Sequence, residues 1–238
     1  MTTQQLYAYW LEGINLLKGL FPSLIFNFKY LPLQQAIKLP IWIYKPTFFK
    51  LKGKVEIASK SIKTGMIRLG YMGGHMYPNT GIHWTVEGTI IFKGKCRIGN
   101  NSYIVVGKDS TVTFGKDFLA STSLKLVSFV GVDFGSYTRI GFDVLVMDTN
   151  FHPLYSLEKQ KFGRAYGKIS IGHHNWISTQ SVVLHSVTTP KRCVFGLRSV
   201  LTNQNKFKSY CVHAGSPAHV VRDKVVRIYG KDKIREYT

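Results

Sequence analysis

One of the eight histidines of this 238-residue chain, His152, lies in the segment Asp148-Thr149-Asn150-Phe151-His152-Pro153. A neutral imidazole accepts a proton near pH 7, so a histidine at a loop edge can serve as a general base. The same placement also fits a purely structural histidine. Asp148, four residues earlier, could orient the ring, bind what the ring deprotonates or simply form a turn. Asn150 is a further polar candidate for that orienting or binding role. His173 and His174 fall in a turn and His185 at a solvent-facing position, with no Asp, Glu or Cys at ligand spacing, so no metal centre is expected. Cys96, Cys193 and Cys211 form no CxxC pair, and their odd number argues against a disulfide framework.

The elements that must hold His152 are short strands. From Val55 onward, β-branched and aromatic residues are broken by Gly, Asn, Asp and Ser, which predicts an all-β region. Ile171, Ile177, Val183, Thr189, Phe195 and Leu201 are six apart, and the same register shows at Phe134, Ile140 and Val146. A six-residue period suits a short strand plus a tight turn. Coils of that kind stack their inward residues into one continuous core, a parallel β-solenoid. Ile98-Gly99, Val106-Gly107 and Phe114-Gly115 are eight apart instead. The rhythm breaks over the polar stretch Leu154 to Lys168 and resumes at Ile171, so a loop over 148–168 is expected, and loops on rigid scaffolds often carry sites.

Upstream, Tyr7, Trp10, Ile14, Leu17 and Phe21 recur at helical spacing, predicting a helix over residues 3–21 stopped by Pro22. A second short helix is expected near Leu33 to Leu39, ended by Pro40. The first helix has two readings: an element lying on a membrane surface, or one packed on the protein's own body. With only Lys18 as a cation on its polar face, the second is favoured. No signal peptide or spanning helix is expected. The segments are therefore 1–54, helical and extended; 55–222, the solenoid; and 223–238, a basic tail that extends away, clasps a neighbour or is simply solvated.

The repeats from Ile171 to Val200, the Asp-Thr-Asn-Phe-His-Pro segment and the closing Ala214-Gly215-Ser216-Pro217-Ala218 together resemble the hexapeptide-repeat acyltransferases. The likeness is greatest to the maltose, galactoside and capsular polysaccharide O-acetyltransferases, and it covers about residues 85 to 222. It implies a left-handed parallel β-helix, a homotrimer with the donor site between subunits, and acetyl-CoA as donor with no metal. It implies direct attack of a sugar hydroxyl without an acyl-enzyme, His152 as catalytic base and a backbone N–H near Ser178 and Thr179 as oxyanion donor. The positions matching the family's coenzyme contacts are Trp176, Thr179, Leu197, Thr202, Asn203, Gly215, His219 and Arg222, the last suited to a phosphate. Leu197 replaces the family's usual alanine, Asn203 its lysine, and His219 its lysine or arginine.

Lys and Arg number 32 against 12 Asp and Glu, a net charge of +20, while 45% of residues are hydrophobic, which excludes a disordered basic tail protein. No zinc finger, basic heptad or RNA-binding signature is present, so nucleic acid is not an expected partner. The charge fits a polyanionic donor, a glycan or sugar-lipid acceptor, and an anionic membrane surface. The expected location is the cytoplasm, at or near the inner face of the membrane. The competing functional readings are a solenoid that binds without catalysing and an N-acyltransferase acting on an amino sugar.

Overall fold

The computed structural model describes residues 19–72 and 76–229. Most of the expected helix over 3–21 lies outside them. Residues 19–30 are helical (α1), so Pro22 does not stop the helix. Docking outweighs the proline: Ser23, Phe26 and Asn27 are buried against the first coil. The Asn27 amide donates to the Ile41 carbonyl (2.7 Å) and accepts from the Ile41 N–H (3.1 Å), while Ser23 Oγ accepts from the Ile43 N–H (2.9 Å). These bonds cover the open end of the first strand, an edge that would otherwise pair with another chain. The second helix (α2) is Leu33–Ala36.

From Ile41 onward the chain winds as a parallel β-helix with three faces, beginning earlier than the expected boundary at 55. The first face runs Ile41–Ile43, Ile67–Tyr71, Cys96–Gly99, Phe118–Ala120, Arg139–Ile140, Trp176–Ile177, Val194–Phe195 and Val212–Gly215. The second begins at Pro46–Leu51 and ends at Val200–Leu201; the third begins at Lys54–Ile57 and ends at Thr188–Thr189. Ile177 lies beneath Phe195 and Phe195 beneath His213, so each late coil takes 18 residues, six per face. Earlier coils are wider: Cys96 pairs with Phe118, 22 residues on. The eight-residue spacing has its origin here, because Ile98, Val106 and Phe114 are the last inward residues of three longer faces of one coil.

Stacked identical positions build the core. Phe92, Phe114 and Phe134 lie one above another with ring centroids 5.3 and 5.5 Å apart, near the strand spacing of about 4.8 Å. Non-glycine residues with positive φ mark the corners: Asn101, Ser123, Asp143, Gln180 and Arg198 between the first and second faces, and Asp117, Tyr137, His174, Arg192 and Tyr210 between the third and first. Gly135 is required by close approach, since a Cβ there would lie 2.5 Å from the Gly172 backbone. At the far end Ala218–Arg222 returns antiparallel on Val212–Gly215 and closes the last rung. The described part of the tail does not extend away. Residues 223–229 fold back across the first face, with Arg227 over the Trp176 ring (4.2 Å) and Arg139 over the Tyr229 ring (4.0 Å).

Candidate active site

The loop over 148–168 is an arm inserted at the corner between the second and third faces. Its stem is laddered by the Thr149–Tyr166 bridge and by Tyr155–Ser156 against Lys161–Phe162. The coils below and above ignore it: Val146 pairs with Val183 and Val132 with Ile169, 37 residues apart in each case. His152 stands at the base of the arm with its side chain exposed, its N–H donating to the Asn150 carbonyl (2.7 Å). Asn150 is exposed beside it, its own N–H bonded to the Ala165 carbonyl. Phe151 packs edge-on against Phe129 of the coil below (5.4 Å) and anchors this turn.

Asp148 serves the turn rather than the imidazole. It is fully buried, and its carboxylate accepts from Ser128 Oγ (2.7 Å) and from the N–H groups of Phe129 (2.8 Å), Val130 (2.9 Å) and Gly131 (2.7 Å). Buried beneath those four donors, it is out of reach of an acceptor molecule. Its work is to fix the point at which the arm leaves the coil.

The expected donor residues separate into two columns. Thr179, Leu197 and Gly215 stack at the corner between the first and second faces, following the register of Ile177, Phe195 and His213 two residues back. Thr202 and Asn203 stand at the other edge of the second face, above Leu184 and His185, in the column from which the arm departs. Thr202 is engaged locally, its N–H (2.7 Å) and hydroxyl (3.1 Å) both bonded to Asn205 Oδ1. Asn203 is exposed.

Sequence reasoning did not find what delimits the first column. The segment over residues 76–80 crosses this corner: Pro78 O accepts from Asn100, Thr80 bonds Asn101, and Tyr77 stacks on Phe142 (5.9 Å) and donates to Asp143. That hydrogen bond to the Asp143 carboxylate raises the Tyr77 hydroxyl to about 12. The cover ends there, and the corner is open from Thr179 on, where Leu197 is 61% exposed. Ser178 donates its N–H to the Phe195 carbonyl (2.9 Å). Among the described residues no hydrogen bond uses the Thr179 N–H, so of the two candidate oxyanion donors it is the free one. Gly141 keeps that nitrogen uncrowded, because a Cβ there would come within 2.5 Å.

Beyond this column, His219 is exposed on the return strand, and Arg222 lines a cleft of ≈ 730 Å³ with Lys208, Tyr210 and Lys224. The cations make that cleft suited to phosphate. Trp176 is half-buried on the first face, its ring beneath Arg227, at the floor of a ≈ 410 Å³ cavity that also holds Tyr137, Arg139, His174, Arg192 and Tyr229. Partial burial, with Arg192 and other cations nearby, lowers the His174 pKa and favours its neutral ring, which stacks on Tyr137 (4.7 Å). Cys193 is pushed up to about 12 by burial, and the buried Cys96 thiol is also raised, so neither is a ready nucleophile.

No protein-family model matches the chain, and no curated protein matches its sequence. Solved structures do. The polySia-specific acetyltransferase NeuO superposes with a TM-score of 0.51 at 19% identity, over 79% of this chain and 91% of that one. The polysialic acid O-acetyltransferase OatWY gives 0.46 at 19% identity over 81% and 91% of the two chains. The N-acyltransferase AntD from Bacillus cereus, solved with dTDP and 3-hydroxybutyryl-CoA, gives 0.44 at 13% identity over 82% and 90%. The fold shared with NeuO is the left-handed β-helix of hexapeptide repeats.

Proposed function

We propose that the chain is an acetyl-CoA-dependent O-acetyltransferase acting on a glycan or sugar-lipid hydroxyl. The observation that supports this most is the pairing of an exposed His152 on a rigidly rooted arm with an uncovered corner column that begins at the free Thr179 N–H. His152 accepts the proton of the sugar hydroxyl as its oxygen attacks the thioester carbonyl carbon. The Thr179 N–H donates to the oxyanion of the tetrahedral intermediate. Collapse breaks the carbon–sulfur bond, and the thiolate takes the proton from the imidazolium. Arg222, with Lys208 and Lys224 in its cleft, serves the coenzyme phosphates.

His152 and Thr179 stand at opposite edges of the second face of one chain. The reading therefore has the arm of one copy completing the corner column of the next, in a homotrimer. Release of free thiol from acetyl-CoA, measured for the wild type and His152→Ala across neutral, acidic and amino sugars, tests the proposal. Release that requires a hydroxyl acceptor and His152 supports it. Release with amino sugars alone makes the chain an N-acyltransferase, and absence of both release and coenzyme A stabilisation leaves a binding solenoid.

A further inference from the structure

Helix α1 is turned inside out relative to an ordinary surface helix. Its polar residues Ser23 and Asn27 are buried, bonded to the backbone of the first strand, whereas Phe21, Ile25 and Phe28 point outward at spacings of four and three. Phe21 is 71% exposed, Ile25 and Phe28 are about half exposed, and the stripe is extended by Leu33 at 67% and Ile37 at 62%. A helix normally buries its apolar stripe in the core and turns its polar face to water. Here the demand of the strand edge for hydrogen bonds takes Ser23 and Asn27 inward beside the core residue Phe26, leaving Phe21, Ile25 and Phe28 on the exposed side of the helix and outside the core.

The cap and first coil are strongly cationic, with Lys50 paired to Glu87 of the next coil (2.8 Å). Residues 19–66 contain eight lysines, Lys29, Lys38, Lys45, Lys50, Lys52, Lys54, Lys60 and Lys63, against Glu56 as the one acidic residue. All eight lysines are exposed. A second copy docked through the same face would bring two such arrays together and be repelled. An anionic lipid surface supplies the complementary charge and an apolar layer at headgroup depth for the aromatic and aliphatic side chains. Among the described residues no helix is long and apolar enough to cross a membrane, so the contact is interfacial.

We infer that the N-terminal cap of the solenoid docks on an anionic bilayer, with Phe21, Ile25, Phe28, Leu33 and Ile37 inserted at the interface and the lysines over the headgroups. The coil axis then stands away from the lipid, leaving the His152 arm and the Arg222 cleft clear of it. This inference does not depend on acyl transfer, because its readout is lipid binding.

The test is flotation of the full chain with phosphatidylcholine vesicles and with phosphatidylcholine–phosphatidylglycerol vesicles, at low and high salt. The wild type is expected to float with the anionic vesicles only, and less so at high salt. The variant Phe21→Ser/Ile25→Ser/Phe28→Ser is expected to lose about ten-fold in binding while keeping its thermal midpoint and sedimentation, since the replaced side chains are exposed. Leu33→Ser/Ile37→Ser provides an independent variant should the triple one misfold. Flotation unchanged in both variants, or no flotation of the wild type, overturns the inference. A lowered midpoint or altered sedimentation of both variants with binding retained also overturns it, because the stripe would then be covered by the chain itself or by another copy.

Discussion

The guanidinium of Arg227 lies over the indole of Trp176, 4.2 Å from the ring centroid, so a residue beyond the last strand closes over a rung two coils below the last one of that face. Tyr229 extends this strap to Arg139, whose own guanidinium is paired with Asp117 (2.6 Å). Trp176 is a residue the family resemblance assigns to donor binding. In the described conformation the strap competes for its face.

Arg227→Ala is expected to uncover Trp176, raising acrylamide quenching of its fluorescence and lowering the apparent Kd for coenzyme A about three-fold or more, as loss of a contact worth roughly 0.5–1 kcal/mol would. Equal quenching in both proteins would mean that the strap does not guard the ring.

His152→Ala is expected to reduce acetyl transfer by about 10²–10⁴-fold with an unchanged thermal midpoint, because the side chain is exposed. Melting curves run beside the thiol-release assay separate loss of chemistry from loss of fold.

Asp148→Ala should destabilise the chain by about 3 kcal/mol or more, since it strands Ser128 Oγ and three backbone N–H groups in a buried turn. Denaturant titration gives the value. A stable variant lacking only activity would return Asp148 to the chemistry.

Asn27→Ala removes both hydrogen bonds to Ile41 and is expected to cost about 2 kcal/mol and to promote edge-to-edge association. Denaturation together with light scattering reads both effects.

Stability should also fall on acidification. Burial depresses the pKa of His213 below its usual 6.5, and its Nε2 accepts the Lys208 N–H, so the folded chain holds this ring neutral. The unfolded chain binds a proton that the folded chain refuses, so stability is lost as pH drops below about 6.5 and continues to fall until the folded-state pKa is passed. Thermal midpoints of the wild type and His213→Gln between neutral and acidic pH should diverge, with a flatter profile for the variant.

The repeat was legible because each inward position recurs every six residues in the late coils, and Ile177, Val183, Phe195 and Leu201 are all buried as that period requires. The arm was legible because it interrupts the period. What was hidden depends on contacts between coils distant in sequence. The cover of Tyr77 over Phe142 spans 65 residues of chain, and no local pattern announces it. The fold-back of residues 223–229 is hidden for the same reason, since Arg227 and Tyr229 look solvated until Trp176 and Arg139 are placed beneath them. Pro22 predicts a helix stop because the strand edge that Ser23 and Asn27 satisfy lies 14 or more residues downstream and leaves no local sign. The expected donor positions can be named one by one from the sequence, but their division between two edges of one face comes from the winding of the coil.

Val146 and Val183 remain partners across the whole excursion of the arm. A change in the arm's length or composition therefore leaves the hydrogen-bond register on either side untouched, provided Asp148 still anchors its exit. Variation and stability are thereby uncoupled: the arm can drift or be exchanged as a cassette while the stacked coils keep their folding free energy, which makes this corner a natural place to graft a different loop onto the same scaffold.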